Sequence, residues 1–265
     1  MKWSYILFLP ALVAFFWALL PVMFKRRLNL AQVLICLALL LESASIVLLS
    51  IYFRGHSGGL FLYNYIFKFL AVLCAPIFYL GICSLTEAKG ITVEQRRVLI
   101  WPLLYIVCLT VGAVSIGWRR YEAMCIAVRD GVACDPSVRF MYILDHWVFP
   151  VFLVLVGFFL FVASTHKVWL YQKRFNDYYA QGLQVKPIDS RIMVISCWIY
   201  LPLAAGIIFC IFSRPHYYKY WIIALSVINA ATLWVIGQLN YRLDHDARSL
   251  AEYIRERNGM SEGNQ

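Results

Sequence analysis

Two ionisable side chains lie far inside apolar stretches of this sequence: Glu42 in LLLESAS and Lys68 in NYIFKFLAV. A charge held in such a stretch costs a few kcal/mol or more unless it is paired or reaches water. The short turn Arg54-Gly55-His56-Ser57-Gly58-Gly59 joins the two stretches. It places Glu42 about 11 residues, or ~16 Å, and Lys68 about 8 residues, or ~12 Å, from their shared end. A lysine stem spans that difference, so a buried Glu42–Lys68 ion pair is expected. Asn229 falls at a similar depth, and Ser43, Ser45 and Asn64 offer hydroxyl and amide partners. Such a cluster reads as a polar ligand-recognition or switch centre. The plainer alternative is polar glue between helices, where one hydrogen bond averages under ~1 kcal/mol, with Lys68 snorkelling outward.

Other reactive side chains are sparser. Asp145 and His146 sit side by side at the mouth of a further apolar stretch, where His146 can titrate. Cys125 and Cys134 are the two cysteines in a polar segment, nine positions apart. On an oxidising face that spacing permits a disulfide closing a small, stiff loop. The other six cysteines lie in apolar stretches and read as small packing residues. No GxSxG, P-loop, GxGxxG, HExxH or CxxC pattern occurs, and the five histidines are scattered. No catalytic residue, metal site or cofactor is therefore expected.

The elements that must hold these groups are membrane spans. The 265 residues are 62% hydrophobic and 14% charged, where soluble domains run nearer a quarter charged. Seventeen tyrosines, eighteen phenylalanines and nine tryptophans suit aromatic belts at two interfaces. Apolar runs predict seven helices: 3–24, 28–53, 60–85, 98–118, 146–170, 192–212 and 220–239. The segment 119–142 reads as a loop, and 171–191 as a polar, tyrosine-rich connection. Only Lys2 precedes the first run and Lys25-Arg26-Arg27 follows it, so it reads as a retained helix, not a signal peptide. With the N-terminus outside, 15 Lys and Arg fall on the cytoplasmic side, 8 outside and Lys68 within a span, which favours N-terminus out and C-terminus in. The expected architecture is an all-α integral membrane protein, with a seven-helix bundle over 1–240 and a cytoplasmic tail over 241–265. In the tail, Leu243, Ala247, Leu250 and Ile254 recur at spacings of four, three and four, one face of an amphipathic helix suited to a partner.

One local pattern goes further. Lys25-Arg26-Arg27-Leu28-Asn29, and above all Ala75-Pro76-Ile77-Phe78-Tyr79-Leu80 followed by Ser84-Leu85-Thr86, resembles the seven-helix sensor region of bacterial AraC-type and LytTR-type regulators and sensor kinases. The likeness covers roughly thirty residues by sequence and the remainder by topology. It implies a sensory protein of the bacterial inner membrane, here without an output domain. Such a chain would act through a cytoplasmic regulator, kinase or DNA-binding protein. Its contacts would be the lipid bilayer and such a partner, with homo-oligomers allowed and no direct contact to nucleic acid. The rival readings are a small transporter, for which no internal repeat is found, a membrane enzyme acting on lipid, for which no cluster of His, Asp or Glu at one interface is found, and a structural subunit of a membrane complex.

Overall fold

A computed structural model of the chain describes residues 5–6, 8–25, 27–54, 60–87, 91–130, 134–179 and 218–242. Among them there is no strand. Within these residues the main helices are α1 (Phe8–Phe24), α2 (Leu30–Arg54), α3 (Leu60–Thr86), α4 (Ile100–Ile116), α5 (Trp118–Asp130), α6 (Phe149–Tyr179) and α7 (Tyr218–Arg242). Among the described residues five apolar stretches are long enough to cross a membrane: Leu30–Tyr52, Leu62–Thr86, Val93–Ile116, Pro136–Lys173 and Ile223–Arg242. Helix α1 is apolar but shorter, at 17 residues. These lengths and compositions mark a membrane-embedded helical protein. The sixth expected span, 192–212, and the expected tail helix lie outside the described residues.

Local chemistry explains several boundaries. Thr92 and Gln95 form a reciprocal capping box that starts the turn Val93–Arg96. A 3-10 turn, Arg97–Leu99, then leads into α4. Pro102 sits in the first turn of α4, where its missing N–H leaves no intrahelical bond unmade. Helix α4 ends at Gly117, whose φ of +82° turns the chain out of the helix.

Immediately after that turn comes α5, where a loop was expected. Its inner face is Tyr121, Met124, Cys125 and Val128, spaced i, i+3, i+4, i+7. That short stripe is the signature of an amphipathic helix, and the charges around it hid the pattern. Helix α6 is also longer than expected, running to Tyr179. Its lead-in is a 3-10 turn, Pro136–Val138, a helical turn, Arg139–Tyr142, and a π-helical segment, Ile143–Val148.

Helix α3 is shared by three apolar clusters, one of which joins its Tyr79, Leu80 and Cys83 to Leu160 of α6. On one side Ile82 and Leu85 pack with Ala14, Ile35, Leu39 and Leu233 of α1, α2 and α7. On the other, Val72 packs with Tyr105, Leu109, Tyr121, Met141 and Phe149 around α4, α5 and α6. Gly237 of α7 lies directly beneath the Trp17 ring, so a Cβ there would collide with it. Trp234 packs edge-on against the same ring at 5.1 Å.

Two pairs of polar contacts fix the registers. Gln32 Nε2 donates to the Asn240 carbonyl (3.1 Å) and Asn229 Nδ2 donates to Glu42 Oε1 (3.1 Å). As the numbers rise in α2 they fall in α7, so the two helices are antiparallel. By contrast, Lys68 pairs with Asp145 and Glu87 with Lys167; here the numbers rise together, so α3 and α6 with its lead-in run parallel and are tied near both ends.

Candidate functional site

The residues that converge most tightly are Asn64 and Lys68 of α3, Tyr121 and Cys125 of α5, and Asp145 of the π-helical segment. Asn64 and Lys68 are four apart and therefore share one face of α3. Lys68 is 4% exposed and Asp145 8%, and the two form a salt bridge. Tyr121 donates its hydroxyl hydrogen to Asp145 Oδ1 (3.1 Å). Asn64 Nδ2 donates to Asp145 Oδ2 (3.1 Å) and also faces the Tyr121 oxygen (3.2 Å) and Cys125 Sγ (3.4 Å). The Lys68 ammonium lies 5.1 Å over the Phe149 ring, a cation–π contact that desolvation strengthens.

The backbone accounts for the last donor of Lys68. At the end of the π-helical segment the Phe149 N–H bonds to the Leu144 carbonyl, an i to i−5 rung. The next rung of that ladder would run from residue 150 to the Asp145 carbonyl. Residue 150 is proline and has no N–H to give. Lys68 Nζ takes that carbonyl instead, at 3.2 Å. One ammonium thus neutralises the Asp145 carboxylate and also completes the backbone of the helix that carries it.

This arrangement corrects the expected Glu42–Lys68 pair. The α3 face turned to α2 carries Cys74, whose thiol meets the Ala38 carbonyl at 3.3 Å. At 100° per residue, Lys68 points roughly 120° away from Cys74, toward α5 and α6. Glu42, half-buried, instead accepts from Asn229, so those two site residues do meet, without Lys68. Ser43 bonds the Ala11 carbonyl (2.9 Å) and Ser45 the Glu42 carbonyl (2.8 Å); neither joins the charged centre. His146 turns aside, stacked on Tyr142 at 5.3 Å.

The expected Cys125–Cys134 disulfide is likewise corrected: both are free thiols. Cys125 sits on the inward stripe of α5, held between Asn64 and the bundle, whereas Cys134 lies beyond that helix, half-buried against the same apolar cluster. Burial, then the charge of Asp145, pushes the Cys125 thiol up to about 12. The same two causes push the Tyr121 phenol up, so it stays a hydrogen-bond donor at neutral pH. The backbone carbonyl of Cys125 accepts from the Tyr52 hydroxyl at 2.9 Å, pinning α5 to the last turn of α2. Leu243, Ala247, Leu250 and Ile254 lie outside the described residues.

At the other end of α3, Glu87 pairs with Lys167 and accepts from Gln95 Nε2 (2.7 Å). These groups border a cleft of about 360 Å³ with Tyr79, Thr92, Glu94 and Val98. Sequence reasoning had not joined Glu87 to Lys167, nor Tyr121 to Asp145. The signal within reach was the helical stripe of α5, which points Tyr121 inward. Among the described residues no group of three His, Cys, Asp or Glu side chains is placed to hold a metal ion. Comparison with protein-family models, with curated proteins and with solved structures finds no match.

Proposed function

We propose that the chain is a membrane-embedded signal-transducing protein of the bacterial inner membrane, with seven spans, its N-terminus outside and its C-terminus inside. The polar centre around Lys68 and Asp145 is the sensing site in the outer half of the bundle. Helix α7 and the tail beyond it carry the state of the bundle to a cytoplasmic regulator, kinase or DNA-binding protein. The observation that supports this reading is the use of Lys68 to complete a π-helical segment. A ligand or stress that moves α3 against α6 must break that bond, and then the π segment loses the donor that replaces the missing Pro150 N–H. Single-turn π segments within helices recur at functional sites. The Glu42–Asn229 bond links α2 to α7 at mid-membrane and offers the route from the centre to the tail.

The test is in-membrane crosslinking through the tail, followed by purification in mild detergent and identification of whatever is captured. Leu250→Asp/Ile254→Asp serves as the control. A regulator or kinase captured by the native tail, lost in the control and changed in yield by Asp145→Asn is the expected result. Capture of nothing, or of membrane subunits alone, would move the reading to a small transporter or a structural subunit. Capture that ignores Asp145→Asn and Lys68→Met would leave the buried centre as helix glue.

A further inference from the structure

Helix α5 has an outer face that the polar centre does not use. Helix α4 crosses the apolar layer and ends at Ile116, and α5 is not among the stretches able to cross. The Tyr52–Cys125 bond sets α5 level with the end of α2. Residues 118–120 therefore sit where the apolar layer gives way to headgroups. The Trp118 ring, 41% exposed, lies edge-on to Tyr65 at 6.0 Å, the placement of an interfacial tryptophan. Arg119 and Arg120 are exposed, and neither forms a salt bridge among the described residues. Asp135 feels the charge of Arg120, and Glu122 follows the two arginines on the same helix. Two guanidinium groups beside an interfacial indole complement phosphate oxygens, which Arg binds through paired N–H donors.

We propose that this Trp118–Arg119–Arg120 surface binds the headgroup phosphates of anionic phospholipids in the adjacent leaflet, and that the contact holds α5 down on the Lys68–Asp145 centre. The coupling is short. The residue after Arg120 is Tyr121, fully buried and bonded to Asp145. One turn further, Cys125 closes on Asn64. A headgroup drawn to the two arginines therefore loads the helix that caps the ion pair. The lipid contact does not depend on the signalling reading.

Alkylation of Cys125 measures how often α5 lifts. The thiol is 1% exposed, so a maleimide reaches it only when the helix opens. The protein is placed in nanodiscs of phosphatidylcholine, with or without phosphatidylglycerol, and N-ethylmaleimide labelling is followed peptide by peptide. Phosphatidylglycerol is expected to slow Cys125 labelling by about fivefold per arginine engaged, the scale of a basic side chain at an anionic surface. Arg119→Gln/Arg120→Gln should label at one rate in both discs. Cys83, buried near the opposite end of α3, reports global opening and should not change. If Cys83 also becomes reactive in the double glutamine variant, the single variants and Arg119→Lys/Arg120→Lys decide. Protection kept by the lysine variant and partly lost in each single glutamine variant supports the site. A wild-type rate indifferent to phosphatidylglycerol, or a lipid effect unchanged by removing both arginines, overturns it.

Discussion

The two ends of α3 carry the same chemistry in different surroundings. Near one end Lys68 pairs with Asp145, with side chains 5% and 7% exposed; at the other Lys167 pairs with Glu87, at 26% and 20%. The first pair is surrounded by Asn64, Tyr121, the Asp145 carbonyl and the Phe149 ring. The second borders an open cleft, and only Gln95 supports it. The difference teaches that an ion pair's consequence depends on what replaces water around it. A buried pair is close to neutral overall but very costly to halve, and an exposed pair is worth little either way.

The comparison breaks most decisively at Asp145. Asp145→Ala leaves the Lys68 ammonium buried with only a carbonyl and a ring, and should cost about 3–5 kcal/mol. Lys68→Met/Asp145→Leu removes both charges and should recover most of that loss. Reversible unfolding in mixed micelles checks both. A single-variant cost under ~1 kcal/mol would mean that water reaches the pair.

Next comes the hydrogen-bonded support. Tyr121→Phe removes one charged-acceptor bond without changing the ring, for an expected loss of about 1.5–3 kcal/mol by the same assay. At the opposite end, Lys167→Ala should cost no more than ~1 kcal/mol. That cost should shrink further when the unfolding is repeated at high salt, because a half-exposed pair is screened. A salt-insensitive loss at Lys167 as large as that at Asp145 would erase the distinction between the two ends.

The smallest effect is expected at Asp135, which caps the Pro136–Val138 turn ahead of the π segment. The Ser137 N–H, which its carboxylate accepts at 2.8 Å, holds its carboxyl below the ordinary aspartate range. A carboxyl with a lowered folded pKa stabilises above its unfolded value, near pH 4, and loses that contribution as pH falls through the folded one. Unfolding midpoints of native protein and Asp135→Ala should therefore differ slightly at neutral pH and converge in acid. A gap that widened in acid would assign the effect to another group.

Much of this was legible along the chain. Unbroken apolar runs forecast α2, α3, α4 and α7 to within a few residues, since a backbone without water must bond to itself. Lys68 announced that it needed a buried partner, and Asn64, one turn away, was in the expected set. What failed was the choice of partner. Depth along two neighbouring helices matched Glu42 to Lys68, but depth says nothing about azimuth, and Lys68 points away from α2. The missed helix α5 has only about three turns, and its charged residues outnumber the stripe that buries it.

By itself the sequence determined an apolar, helical, membrane-embedded chain, because span length and hydrophobicity are properties of consecutive residues. It also determined that Lys68 would be costly without a partner, while it placed Asp145 only at the mouth of a later apolar stretch. Only the tertiary structure decided that they meet. The rotation of α3, the inward turn of α5 and the π-helical rung ahead of Pro150 depend on contacts between residues 24 to 81 positions apart. No local pattern encodes those contacts, since the energy that selects them arises only when the helices pack.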